Sequence, residues 1–248
     1  MLENAILHSL PDDERATIRE HSNLVHLSQH HTLYRAGDPL EHVYFPRSGM
    51  ISLLMTAQDG RTIETCMIGR EGLVGVEALL APAQAAAVGA VVQSQGDAIR
   101  VPALLVRQSI DTLPVLAELI DRQIAAVLFQ AQQNALCHAL HSIEARFCRW
   151  LLQAGDALAS SKVDVTQEAC AQILGVQRTS VSMVAHALQG RGALRTQRGK
   201  IEILDRPRLE QGACECYLEL KRRAQFHQAS TRSLPGRRPD EVFGASAR

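Results

Sequence analysis

The sequence predicts an α+β chain: an N-terminal β-roll, one long helix, and a C-terminal winged helix-turn-helix. Three observations carry this. Short strand-like runs separated by turn residues fill residues 24–101. Residues 111–139 are free of Gly, have no Pro after Pro114, and carry one continuous apolar stripe. Residues 166–188 then read as two short helical patterns meeting at Gly175, with a basic hairpin pattern following.

The roll is preceded by a helical lead at 2–22. Leu2, Ile6 and Leu10 recur at helical steps, and Pro11 opens a second turn whose start holds Asp12, Asp13 and Glu14. The strand runs 24–27, 32–34, 42–45, 50–56, 62–68, 88–93 and 98–101 are β-branched or aromatic. Between them lie A-G-D-P, R-S-G, Q-D-G and Q-G-D, and Asp59-Gly60 is a strong hairpin signal. Seven such strands suffice for a sandwich or roll that ends near residue 105.

In the long helix, Leu113, Leu116, Ile120, Ile124, Val127, Ala131, Asn134 and His138 follow steps of three and four. That period predicts a two-stranded seam with a second copy through Leu116, Ile120, Ile124, Val127, Ala131 and Asn134; packing back on the roll is the alternative. A shorter helix at 142–152 carries Ile143, Phe147, Trp150 and Leu151.

Within 166–188, Ala169, Cys170, Ile173 and Leu174 mark one inward face and Val181, Val184, Ala185 and Leu188 the next. Gln177, Arg178, Thr179, Ser180, Ser182 and Met183 are left near the open start of the second helix, where a recognition helix meets base edges. Strand patterns at 194–197 and 200–204 joined at Arg198-Gly199 predict a wing, with Arg195, Arg198 and Lys200 facing phosphates. A last helix is expected at 208–225 and a disordered tail at 230–248. The expected organisation is therefore a sensor roll at 1–110, a dimerisation helix at 111–140, a DNA-binding unit at 141–228 and a tail at 229–248.

The chain's 248 residues allow two cores, and its formal net charge of zero taken alone would argue against nucleic acid. The distribution reverses that. Residues 1–162 hold 12 Lys/Arg against 17 Asp/Glu, whereas residues 163–248 hold 14 against 9, so the C-terminal unit is the basic, partner-facing one.

No apolar run reaches the roughly 18 residues of a membrane span, and the N-terminus is acidic rather than signal-like. Six scattered cysteines fit free thiols in a reducing cytoplasm. No cofactor or metal site is expected. Cys214 and Cys216 would stand two apart on the last helix and point to different faces. His26, His30 and His31 read as exposed turn histidines in preference to haem or metal ligands. No nucleophile–base pair stands out, so an enzyme using the roll is the distant alternative.

With L-Y-R-A-G-D-P, V-Y-F-P-R-S-G, I-G-R-E-G-L-V-G, the helix-turn-helix and its wing in this order, residues 5–222 resemble the Crp/Fnr family, the cyclic-AMP receptor and fumarate-nitrate-reduction regulators. The resemblance implies a cyclic-nucleotide-binding-like roll and a homodimeric transcription regulator. It also implies a twofold-symmetric DNA operator and contact with RNA polymerase. In nucleotide-binding members a Gly-Glu pair holds the ribose and an Arg-Ser pair clamps the cyclic phosphate. Gly69, Glu71 and Gly72 match the first part, but Ala86 and Ala87 stand at the clamp, and Ala131 and Gln132 at the purine-contacting hydroxyls. Losing a buried guanidinium fork costs about 3–5 kcal/mol, so cyclic AMP is not the expected signal. A cyclic nucleotide, haem or redox signal remains the alternative, and the effector is left open. By the same resemblance Arg178 reads guanine, Ser180 contacts a phosphate, and Thr179 and Met183 replace an acidic reader and a second arginine.

Overall fold

The computed structural model describes residues 4–80 and 85–231. Two short helices open the chain, α1 (Ala5–Ser9) and α2 (Asp12–Glu20), and the roll follows with β1 (Asn23–Leu27), β2 (Thr32–Tyr34), β3 (His42–Pro46), β4 (Met50–Thr56) and β5 (Thr62–Ile68). A one-turn helix, α3 (Glu77–Leu80), leads to β6 (Gly89–Ser94) and β7 (Gly96–Pro102). Two antiparallel sheets result, one ordered β2-β6-β4-β5 and the other β1-β7-β3. Alternation along the strands buries Leu27, Ile51, Leu53, Ile68, Ala90, Val92 and Ala98 in one core between them.

All seven expected strands are present. The roll is, however, followed by a helix that the sequence pattern did not separate from its end, α4 (Ala103–Ile110). Pro102 stops the strand and stands at its N-cap. The long helix is α5 (Pro114–Leu140), with Pro in its first turn where a missing N–H costs nothing. Glu14 of α2 caps this helix from outside: its carboxylate accepts from Val115 N at 3.1 Å and Leu116 N at 2.8 Å.

The expected seam does not face outward. Leu116 and Ile120 are buried in the roll-side core, Ile124 and Val127 pack against it, Ala131 is half-buried, and Asn134 Nδ2 donates to Thr65 O at 3.0 Å. Roll packing claims this stripe because the roll must cover its own apolar edge. A second stripe of the same period is left exposed: Asp121, Ala125, Leu128, Gln132, Ala135 and Ala139, flanked by Leu136 and Leu140.

The C-terminal unit runs α6 (Ile143–Leu158), β8 (Lys162–Val163), α7 (Gln167–Leu174), α8 (Arg178–Gly190), β9 (Leu194–Gln197), β10 (Lys200–Ile203), α9 (Arg206–Gly212) and α10 (Cys216–Thr231). The expected single helix at 208–225 is two, because Ala213 is extended (φ −81, ψ 152) and the chain re-enters a helix only at Cys216. The expected tail lies, from residue 232 on, outside the described residues.

Both units share one core. Met50 and Met67 of the roll join Phe147, Trp150, Leu151, Ile173, Val181 and Leu188. At its centre Glu64 is buried, accepting from Trp150 Nε1 at 2.9 Å and from Ser52 Oγ. At the rim Gln29 Nε2 donates to both Gln93 O and Asp164 O at 2.9 Å, tying roll to wing.

Candidate nucleic-acid interface

The turn between α7 and α8 is built from local chemistry. Thr166 caps α7, its Oγ1 accepting from Ala169 N at 3.0 Å. Gly175 ends α7 at φ +62, with Val176 N donating to Ala171 O at 3.0 Å and Gly175 N to Gln172 O at 3.1 Å. Arg146 of α6 donates to Leu174 O, so the turn is held from behind as well. Val181, Ala185 and Leu188 are buried, which fixes the face α8 turns to solvent.

That face is chemically open. Gln177 stands at the N-cap with no side-chain capping bond; Ser180 N donates to Gln177 O at 3.0 Å, and the Arg178 and Thr179 amides stand at the uncapped helix start, a place suited to an anion. Arg178 has a side chain 68% exposed and only a loose contact with Glu168, Nε to Oε2 3.9 Å. Thr179 is exposed and Met183 is 73% exposed. Ser180 is half-buried. Ser182 is engaged already: its Oγ donates to Gln167 Oε1 at 2.6 Å, which braces α8 on α7. His186, missed in the sequence pattern, is exposed one turn beyond Met183 on the same side. The step of three from Met183 and seven from Thr179 was the available signal.

In the wing, Lys200 pairs with Gln197 in register across a two-residue turn at Arg198-Gly199, where Gly199 takes φ +73. The small β8 completes a sheet ordered β8-β10-β9. The three wing cations differ. Arg195 faces Glu202 across the strands at 3.3 Å and Lys200 reaches Asp164 at 3.3 Å, whereas exposed Arg198 has no ion pair among the described residues.

The expected effector residues do not form one pocket. Glu71 folds back on its own loop, Oε1 accepting from Gly69 N at 2.8 Å; burial raises its pKa and that amide opposes the rise. It lines a cleft of about 710 Å³ among α1, β5, α5 and α10, beside Arg70, Gln123 and Phe129. Gly72 backs onto Gln123 of α5, whose Nε2 a Cβ there would meet at 2.9 Å. Ala86 and Ala87 are elsewhere. Ala86 is buried with both backbone groups used, N donating to Asp38 O at 2.9 Å and O accepting from Gly37 N at 2.8 Å. The nearby Glu77 carboxyl has its pKa raised by burial, with the Ala87 backbone opposing the rise. Gln132 lies on the exposed stripe of α5.

One further cluster contradicts an expectation. Since Cys214 precedes α10 instead of lying on it, its thiol and that of Cys216 do not diverge. Both meet Cys137 and His141 from the end of α5.

A roll, a long helix and a winged helix-turn-helix with an open recognition face define a DNA-binding transcription regulator. Comparison with known proteins agrees: residues 24–112 match the cyclic nucleotide-binding domain and residues 145–211 the Crp-like helix-turn-helix domain. The chain belongs to the Crp/Fnr family of transcription regulators, not to a family of enzymes. It is 24% identical over 190 residues to a CRP-like cAMP-activated global transcriptional regulator of Mycobacterium tuberculosis, covering 74% of this chain and 84% of that one. Its fold superposes on a Crp/Fnr-family regulator from Eubacterium rectale with a TM-score of 0.67 at 18% identity, over 84% of this chain and 98% of the other. The c-di-GMP-responsive global regulator of Xanthomonas campestris gives 0.66 at 19% identity, over 78% and 99%. No helix of the described residues is long and apolar enough to cross a membrane.

Proposed function

We propose that the chain acts as a homodimer that sets two α8 helices into successive major grooves of a twofold-symmetric operator, and that its signal is not cyclic AMP. The observation that carries the DNA reading is the uncapped, exposed start of α8. Arg178 reads guanine there, because its fork fits O6 and N7. Thr179, Met183 and His186 line the adjoining groove surface, and Gln177 and Ser180 supply phosphate contacts. Ser182 positions the helix through Gln167. Arg198 meets the backbone through the wing, with Arg195 and Lys200 as weaker contributors because each already faces a carboxylate.

Support for the dimer comes from the second stripe of α5. Leu128, on that stripe, and Leu136 and Leu140, which flank it, are 58%, 43% and 73% exposed, and the stripe Asp121–Ala139 has the three- and four-residue steps of a coiled coil. A second copy of the chain is the occupant argued here, since two recognition helices related by a dyad match a palindromic operator. RNA polymerase is the further partner that family membership suggests.

Against cyclic AMP stand Ala86 and Ala87, which bring no cation to the clamp position, and the Glu77 carboxyl close to the Ala87 backbone. A cyclic phosphate there would find no guanidinium fork beside it.

Selection of bound DNA from a random pool tests the reading. Two inverted half-sites about one helical turn apart are expected. A site with no dyad, or a monomer by sedimentation, overturns the dimer. Leu128→Glu should convert the dimer to monomer. Added cyclic AMP should leave the melting temperature unmoved, since a ligand that binds the fold would raise it.

A further inference from the structure

The last turn of α5 and the joint between α9 and α10 bring four soft ligands to one point. Cys137 and His141 are four residues apart, so one helix side presents both. Cys214 lies in the non-helical joint and Cys216 opens α10, which lets residues two apart aim at a common centre. The three Sγ atoms and a ring nitrogen of His141 all lie within 4.8 Å of one another. Cys137 Sγ to Cys214 Sγ is 3.5 Å, and Cys216 Sγ to His141 Nδ1 is 3.5 Å. Around a tetrahedral zinc ion, with Zn–S about 2.3 Å and Zn–N about 2.0–2.1 Å, such ligand-to-ligand edges are roughly 3.4–3.8 Å.

We propose that Cys137, His141, Cys214 and Cys216 form a closed Cys3His site for a single zinc-class divalent cation. Three surroundings fit that use. Nε2 of His141 is 3.1 Å from Glu215 Oε1, so the carboxylate holds that nitrogen as donor and leaves the Nδ1 lone pair toward the thiols. Gln133 Nε2 donates to Cys216 Sγ at 3.0 Å, a bond that favours the thiolate. Arg146 and Arg149, 7% and 2% exposed, each keep a buried Nε without a partner and lie in electrostatic reach of Cys137. Three thiolates, a neutral imidazole and a dication sum to one negative charge, which buried guanidiniums offset. Binding releases the thiol protons to solvent and forms three S–metal bonds and one N–metal bond. Sulfur-rich donors select zinc over magnesium or calcium. The ligand pairs flank α6, the helix-turn-helix and the wing in sequence, so the ion would close the DNA-binding unit back onto the long helix.

Cobalt(II) chloride added to the reduced, chelator-washed full-length chain tests this without reference to DNA. One equivalent per chain should give a thiolate-to-cobalt charge-transfer band and the visible bands of tetrahedral cobalt, and zinc should bleach both. Cys216→Ser should abolish them, and Cys170→Ser, a buried thiol of α7, should keep them. Glu215→Gln spares every ligand and should weaken metal binding about 10–100-fold. His141 has a side chain 17% exposed, so His141→Ala should fold, and its melting temperature should no longer fall when chelator is added. The proposal is overturned by an octahedral cobalt spectrum or by bands that survive Cys216→Ser. A Cys137–Cys214 disulfide forming at the same rate with and without zinc overturns it as well.

Discussion

Inside the shared core, Glu64, Ser52 and Trp150 turn their polar atoms toward one another, whereas on α8 the polar side chains of Arg178, Thr179 and His186 turn to solvent. The first arrangement is satisfied by the chain itself and holds two units together. The second is left unsatisfied by the chain and suits an external partner. Polar chemistry therefore separates joint from reader more sharply than burial of apolar residues does, since both regions rest on the same core. If that contrast is right, changes at the joint should cost stability and spare base preference, and changes on α8 and the wing should do the opposite.

The largest effect should come from Trp150→Ala. Removing a fully buried indole costs about 3–5 kcal/mol, and Glu64 loses a donor as well. Urea unfolding measures it, and a loss under about 1 kcal/mol would break the comparison.

Next is the pH response of Glu64. Desolvation pushes its carboxyl up to about 7, against the hydrogen bonds from Ser52 and Trp150 and the nearby charge of Arg149. The folded chain keeps this proton at pH values where the unfolded chain has released it. Stability should thus fall as pH rises from the ordinary carboxylate range to about 7, by an amount on the order of 3 kcal/mol, and level off above. Glu64→Gln should flatten that fall, which unfolding at several pH values will report.

On the reading side, Arg178→Ala should cost about 1–3 kcal/mol of operator binding and relax selectivity at one base pair per half-site. Its unfolding midpoint should stay put. The smallest change expected is Arg198→Ala: weaker binding to all sequences and a salt dependence shallower by about 1 in slope. Unaltered selectivity in the first variant, or altered selectivity in the second, would reverse the two roles.

Much of this arrangement was legible in the residues because it is written locally. Asp59-Gly60, Thr166, Gly175 and Arg198-Gly199 each dictate a turn or cap within a few positions, and the strands, the helix-turn-helix and the wing follow from them. What stayed hidden depends on distant partners. Period alone cannot say which of two stripes on α5 covers the roll, since Leu116–Asn134 and Asp121–Ala139 share it. The Glu64–Trp150 pair spans 86 residues and leaves no local mark. Gly212 before Ala213 was a usable signal for the break between α9 and α10. Without that break Cys214 and Cys216 fall on one helix, where residues two apart diverge, and the sequence shows no four-ligand cluster.

Gly175 carries one more consequence. Besides its left-handed backbone, it abuts the roll: a Cβ there would come within 2.6 Å of Ile63 Cγ2 on β5. The pivot of the reading head thus rests against the tip of the β4–β5 hairpin with no room for even a methyl group between them. Gly175→Ala would therefore have to displace Ile63 as well as strain a left-handed backbone, so any side chain at the pivot is opposed from the roll.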